Sequence, residues 1–328
     1  MKKILVTGGC GFIGSAFVRG WVDTRPDVEL VNLDLLTYAA DPENVAAVAD
    51  RSNYRFVQGD VRDRALVAKL AADVDAVVHL AAESHVDRSI DDATAFVSTN
   101  VAGTHAVLDA VRARGCVMVL VSTDEVYGSL SEDAPATDEA AHLNPGSPYS
   151  AAKAGADLLA LSYAKTYGLD VRITRCANNY GPCQFPEKLI PVLVRRALSG
   201  QPLPLYGDGR NIRDWIHVDD HVAAISAVLE RGVAGRIYNV GGDTPRRNVD
   251  IARLVLTHLG LPEDRVELVR DRPGHDWRYC VDDHRLRAEL GWTPRVDFEV
   301  GLRATIDWYS AQGAWVERAF QRLRGGGP

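Results

Sequence analysis

The stretch Thr7-Gly8-Gly9-Cys10-Gly11-Phe12-Ile13-Gly14 closes a short apolar run, Ile4–Thr7, and opens a helical pattern. Glycines at 8, 11 and 14 leave no side chain to keep the backbone off a pyrophosphate, which then sits at the positive end of a helix. The GxxGxxG spacing differs from the commoner GxGxxG, and a plain tight turn would also use glycine, so the stretch decides the fold only with its surroundings. Asp34 supplies them. It ends the next apolar run, Glu29–Leu33, 20 residues after Gly14, where a carboxylate binds the ribose hydroxyls of a dinucleotide. The same charge repels a 2′-phosphate, and Leu35 and Leu36 bring no cation to offset it, so NAD is expected over NADP. Asp60, after the third run, is placed to meet the adenine edge; its alternative is to cap a helix beginning near Asp63.

Working outward, further runs at Arg55–Val57, Ala76–Leu80, Val117–Ser122 and Val171–Thr174 alternate with helical stretches. Near-continuous apolar strands of this kind are covered by helices on both faces. Repeated βαβ units then predict an α/β fold, a Rossmann-type doubly wound parallel sheet. Beyond Arg175 the rhythm loosens, with prolines at 182, 186, 191, 202 and 204. That pattern predicts a smaller α/β lobe. The expected division is an NAD-binding domain over 1–176 plus roughly 215–245, and a substrate-binding lobe over 177–214 and 246–328, with a cleft between them. Only the glycine-rich tail 325–328 is of low complexity.

The 328 residues are 46% hydrophobic and 25% charged, as in an ordinary globular enzyme. A net charge of -7 argues against general nucleic-acid binding, which shows a basic footprint, but leaves a local anion site possible. No apolar run approaches the ~18 residues of a membrane span, and the opening Met1-Lys2-Lys3 runs too soon into glycines to read as a signal peptide. Five cysteines, an odd count with no CxxC pair, suit a reducing compartment. The expected location is the cytoplasm.

Tyr149 and Lys153 stand four apart in Tyr-Ser-Ala-Ala-Lys, which puts both on one helix face. A nearby lysine cation draws a phenol's pKa down from about 10, making it a usable base for oxidising a sugar alcohol. Thr123-Asp124-Glu125 follows the strand Val117–Ser122, so it points into the crevice where open α/β sheets bind ligands. An alcohol dehydrogenase needs no adjacent pair of carboxyl groups. Two such groups in a partly dry site settle into different protonation states, one acid and one base; the alternative is a helix cap or solvated turn. His217 and His221, with Asp219 and Asp220 between, lack a third ligand at metal spacing, so capping aspartates at a helix start are expected and no metal.

Gly8-x-x-Gly11-x-x-Gly14, Asp34, Asp60, Tyr149-x-x-x-Lys153 and Asn178-Asn179-Tyr180-Gly181-Pro182 together resemble the extended short-chain dehydrogenase/reductases. Within that group, four stretches are similar to those of the dTDP-glucose 4,6-dehydratases, and the similarity runs from residue 1 to about 310. They are Leu80-Ala81-Ala82-Glu83-Ser84-His85-Val86-Asp87-Arg88-Ser89, Thr123-Asp124-Glu125-Val126-Tyr127-Gly128, Arg213-Asp214-Trp215 and Asp271-Arg272-Pro273-Gly274-His275-Asp276. The resemblance implies an NAD-dependent hydro-lyase of deoxysugar biosynthesis acting on a dTDP-hexose. Tyr149 would take the C4 hydroxyl proton, Thr123 would bond that oxygen, Glu125 would remove the C5 proton and Asp124 would protonate the leaving C6 hydroxyl. By similarity Phe12, Ile13, Thr37, Asp60, Val61, Leu80, Ala81, Ala82, Thr99, Tyr149, Lys153 and Asn179 join the glycines and Asp34 around NAD. Ser84, Thr123, Asn178, Lys188, Leu189, Pro204, Tyr206, Arg213, Asn248, Arg272, His275 and Tyr279 would hold the nucleotide sugar, the two arginines suiting a diphosphate through their forked donors. Epimerases and decarboxylases on this scaffold need no acid at position 124, and a non-catalytic NAD sensor would be free to lose Tyr149 or Lys153. Segments Ala93–Arg112 and Ala151–Ala164 are apolar on more than one face; the surplus, like the resemblance, points to a homodimer with a four-helix interface.

Overall fold

Six of the expected apolar runs form parallel strands: β1 (Lys3–Thr7), β2 (Glu29–Asp34), β3 (Tyr54–Gln58), β4 (Ala76–His79), β5 (Val117–Thr123) and β6 (Val171–Cys176). The structure is a computed structural model and describes residues 1–325; most of the glycine-rich tail, 326–328, lies outside the described residues. The remaining strands are β7 (Asn178–Tyr180), β8 (Leu203–Tyr206), β9 (Ile212–His217), β10 (Ile237–Val240), β11 (Pro245–Arg247) and β12 (Val266–Val269). A seventh strand joins the large sheet, whose order is β10-β6-β5-β4-β1-β2-β3. The chain moves outward in one direction from β1 and in the other from β4. The crevice at that reversal, outside the carboxyl ends of the strands, is where such sheets bind ligands.

Helices cover both faces. On one side lie α1 (Phe12–Thr24) and α8 (Val218–Arg231), where Phe17, Trp21, Ile225 and Val228 are buried against Ile4, Val6 and Val119. On the other lie α2 (Arg64–Ala71), α5 (Thr104–Arg114) and α6 (Pro148–Tyr167), burying Val67, Leu108, Val111 and Ala160 against Leu5, Met118 and Ile173. The sequence starts α6 sharply: Ser147 and Ser150 cap each other's backbone N–H groups, and Pro148 takes a position where no N–H is needed. Between α2 and α5 come α3 (Val86–Asp91) and the single turn α4 (Thr94–Phe96), then a π-helical stretch, Val97–Gly103. The helical segment read as Ala93–Arg112 therefore runs on without a break from Thr94 to Arg114, widened in its middle by the π-helical stretch. Asn100 in the wide turn donates to Glu83 O at 2.9 Å and accepts from Glu83 N at 2.8 Å, and such insertions recur at functional sites.

The second cluster packs α7 (Leu189–Leu198), α9 (Asn248–His258), α11 (Phe298–Ala311) and α12 (Gly313–Gly325) through Ile190, Leu193, Ile251, Val255, Leu302, Ile306 and Trp315. It also holds the sheet β11-β9-β7 and the parallel pair β12-β8, while α10 (His284–Leu290) packs Leu286 and Leu290 back onto the first. Residues 218–240 return to the large sheet as α8 and β10. The start of α8 differs from expectation. His217, not an aspartate, is the cap: its Nδ1 accepts from Asp219 N–H at 3.3 Å. The helix begins at Val218, which shifts Asp219 and Asp220 into the first turn, where their charge still suits the dipole.

Candidate active site

A cleft of about 500 Å³ opens at the reversal of strand order, within the usual range for a small-molecule site. Its floor is the glycine turn. Gly8 has φ +74°, and a Cβ there would stand 2.6 Å from Ala81 N; a Cβ on Gly14 would stand 2.0 Å from Gly8 O. The first turn of α1 carries no acid, so its free N–H groups favour a phosphate. Asp34 is buried, accepting from Cys10 N at 2.9 Å and from Leu36 N at 2.8 Å. Those bonds aim the carboxylate and leave it acceptor sites for ribose hydroxyls. Phe12, Ile13, Thr37, Asp60, Val61, Leu80, Ala81, Ala82, Thr99 and Asn179 line the same wall. Asp60 is gripped by Arg62 through Nε and Nη2, while Asp63 caps α2. His221 is buried and its Nδ1 donates to Asn179 Oδ1 at 2.9 Å; this pair stiffens the cleft wall. Among the described residues no group of three His, Cys, Asp or Glu is placed to hold a metal ion. The residues present fit NAD.

At the other end stand Thr123, Asp124, Glu125, Tyr149 and Lys153, all on the cleft. Strand β5 delivers the first three, and the first turns of α6 deliver the other two. The Thr123 hydroxyl donates to Asp124 Oδ1 at 3.3 Å and acts to lower the pKa of the Tyr149 phenol. Asp124 is 3% exposed and its Oδ2 is buried with no hydrogen-bond partner. Burial, then the charges of Glu125 and Asp214, push its carboxyl well above the usual range, against weaker pulls from Arg213 and Thr123. Glu125 is also raised by burial, but Lys188, Arg213 and Arg272 oppose the rise. The two carboxyl groups are thus unlike: burial and neighbouring acids favour the protonated form of Asp124, whereas three cations work against the same rise at Glu125.

The environment of Tyr149 corrects one expectation. Its phenol is held well above 10, first by burial and then by Glu125, Cys176 and Asp124, with only Thr123 acting the other way. Lys153 does not offset this. Its Nζ donates to Val121 O at 2.7 Å and burial lowers its own pKa. Helical spacing brought the two to one face, but the anions facing the phenol come from other elements.

Of the residues expected around a nucleotide sugar, Ser84, Asn178, Lys188 and Leu189 line the cleft, and Lys188 Nζ donates to Ser84 O at 2.5 Å. Arg213, Arg272 and Tyr279 gather behind them: Arg213 lies 4.5 Å over the Tyr279 ring, Tyr279 bonds Asp276, and both arginines act on Glu125. Tyr206 and His275 do not line the cleft; they meet edge to face at 6.0 Å. Pro204 and Asn248 are not on the cleft wall; Pro204 pairs with Glu267 across β8 and β12, and Asn248 starts α9 with its N–H on Asn211 O. Sequence reading also passed over wall residues Glu83, Gln184, Glu187 and Trp215. Glu83 and Trp215 lie inside the quoted stretches; nothing in spacing singles out the other two.

The state of Asp124 is testable through stability. A carboxyl kept neutral in the fold but ionised in the unfolded chain costs nothing below about pH 4 and about 1.4 kcal/mol per pH unit above it, until it ionises in place. Asp124→Asn lacks this loss. Its melting temperature should match the wild type near pH 4 and exceed it at pH 7. Calorimetry showing the same gap at both values would rule this out.

The chain belongs to the GDP-mannose 4,6 dehydratase family, whose model matches residues 5–305. Its particular relatives are narrower. It is 53% identical over 317 residues to a dTDP-glucose 4,6-dehydratase of Streptomyces griseus, with 96% of each chain covered. The structure matches DesIV, a dTDP-glucose 4,6-dehydratase of Streptomyces venezuelae solved with NAD and TYD bound, at a TM-score of 0.94 and 50% identity, covering 97% of this chain and 99% of that one. It also matches a Thermus thermophilus UDP-glucose 4-epimerase solved with NAD, at a TM-score of 0.86 and 30% identity, covering 94% and 99%. The scaffold is shared with epimerases, so the residues at the chemical end must separate the two.

Proposed function

We propose that the chain is an NAD-dependent dTDP-glucose 4,6-dehydratase, producing dTDP-4-keto-6-deoxyglucose for deoxysugar biosynthesis. The observation that carries this reading is the unequal pair Asp124 and Glu125 at one end of a dinucleotide cleft. An epimerase needs no buried, protonated acid beside Glu125. Bound NAD would supply the hydride acceptor for C4 and the hydride donor for C6, with no net redox. Tyr149 takes the C4 hydroxyl proton as a phenolate, the form that the positive nicotinamide of bound NAD would favour against the burial that raises the phenol, and Thr123 holds the same oxygen. Glu125 then takes the C5 proton, acidified by the C4 ketone; burial raises its carboxyl, which strengthens it as a base, while Lys188, Arg213 and Arg272 oppose the rise. Asp124 gives its proton to the departing C6 hydroxyl, its unpartnered Oδ2 being the free atom for that transfer, and Glu125 gives its proton back to C5 as C6 receives the hydride. Asn179, on the cleft wall, helps hold the cofactor, and Lys153 stands beside Tyr149 at the chemical end.

The test is substrate bearing deuterium at C4. The label should reappear at C6 of the product during turnover without added oxidant; label recovered in solvent or in free reduced cofactor excludes the dehydratase.

The protein acts as a homodimer in this reading. The π-helical stretch and α5 run alongside α6, as the pairs Phe96–Tyr149 and His105–Tyr163 show. Their outer faces leave Val97 54% and Leu158 58% exposed, an apolar stripe suited to the same two helices of a second copy. Leu161 packs partly into the core, so the charge belongs at Leu158. Leu158→Glu should turn dimers into monomers with little change in melting temperature; light scattering that finds the unmodified protein monomeric at micromolar concentration contradicts this. Five free thiols suit a reducing cytoplasm.

A further inference from the structure

We propose that Asp87 is a positioning residue: it holds one nitrogen of Arg272 and the hydroxyl of Tyr206, and so turns the free edge of Arg272 toward the diphosphate of the nucleotide sugar. The inference rests on the nucleotide-sugar reading of the cleft. Asp87 lies in the first turn of α3, between the buried Val86 and Ser89. Its Oδ1 accepts from Arg272 Nη1 at 2.7 Å, and its Oδ2 accepts from the Tyr206 hydroxyl at 2.9 Å. Both oxygens of one carboxylate are thus committed to residues of the other cluster. Tyr206 ends β8 and Arg272 follows β12, two strands paired so that Val269 stands beside Tyr206. His275 steadies this edge, with its ring against Tyr206 and its Nδ1 on Asp271 Oδ1 at 2.6 Å.

Arg272 offers five donors in a fixed fork. Asp87 uses Nη1, while Nε is buried with no hydrogen-bond partner. Nε and its neighbouring nitrogen form the edge that binds a pair of phosphate oxygens, and a buried donor is costly unless something accepts from it. Lys188 and Arg213 crowd the same place: both face Glu125 together with Arg272, and each feels the charge of Arg272. Three cations around one point would repel the arginine into water. Asp87 offsets that repulsion and fixes the direction of the fork. It stays ionised there: burial works against its charge, but the hydrogen bond and charge of Arg272 outweigh it.

An acid so close to an anion site could instead compete with the diphosphate, so the sign of the effect is the test. With NAD-loaded full-length protein, calorimetric titration with dTDP should give Asp87→Ala about a tenfold weaker Kd, the scale of one charged hydrogen bond. KM for dTDP-glucose should rise in step, with kcat changed less than about twofold. Arg272→Gln should lose as much or more, and Asp87→Ala should add nothing on that background. Arg272→Lys, which keeps the charge but not the fork, should bind nearly as poorly as Arg272→Gln, and this holds even if Asp87→Ala does not fold. Equal or tighter dTDP binding by Asp87→Ala, additive losses in the double variant, or wild-type affinity in Arg272→Lys each overturn the proposal. UDP and GDP are titrated in parallel. A wild type that prefers one of them overturns the dTDP reading and leaves the clasp to be judged on that ligand; one that binds no nucleoside diphosphate overturns both.

Discussion

Asp124→Asn combined with Glu125→Gln is expected to cut formation of the 4-keto-6-deoxy product by about 10²–10⁴-fold, the usual loss for a positioned acid or base. The amides keep the shape of the two side chains and part of their hydrogen bonding but can neither give nor take the protons of elimination. Oxidation at C4 moves its proton through Tyr149 alone, so it should survive. The protein should therefore stall with reduced nicotinamide bound, visible as its near-ultraviolet absorbance, and with the sugar retained as a 4-ketone. Glu125→Gln also removes the carboxylate charge that raises the phenol of Tyr149, which eases its ionisation and favours the first step further. A double variant turning over at the wild-type rate would show that these carboxyl groups are not the acid and base.

Tyr149→Phe should fail one step earlier. It removes the hydroxyl and leaves the ring against Phe96, 6.3 Å away, so the fold should stand. Product formation should fall by about 10²–10⁴-fold, and substrate should raise no nicotinamide absorbance at all. The contrast with the carboxyl double variant matters more than either loss. Reduced cofactor forming at the normal rate in Tyr149→Phe would take the base away from Tyr149.

The parallel sheet was legible because its strands carry their own evidence: Ile4–Val6, Val77–Val78 and Val119–Leu120 are buried on both sides and read as unbroken apolar runs. Strand β10 was not. Two of its four residues bear polar groups, and their partners lie far off in sequence. The Tyr238 hydroxyl bonds Glu289, and the Asn239 side chain bonds Tyr127, Thr137 and Asp282. Thr123-Asp124-Glu125 could be placed in the cleft because the end of a parallel strand fixes where the next residues point. The charge on Tyr149 could not be read from Tyr-x-x-x-Lys, since Glu125 and Cys176 approach it through space. The hold of Asp87 on Arg272 and Tyr206 spans most of the chain and leaves no local pattern.

The late arrival of β10 bears on how the protein is made. Strands β1 to β6 leave the ribosome in order, but β6 receives its outer neighbour only after residues 177–236 have been synthesised. Until then the edge carrying Val171, Ile173 and Thr174 is unpaired, and an apolar edge of that kind recruits strands from other chains. The large sheet therefore cannot close until the residues between β6 and β10 exist, so the sheet and that intervening segment must mature together. A nascent chain that stalls, or a fragment cut within 177–236, presents a templating edge rather than a smaller working enzyme.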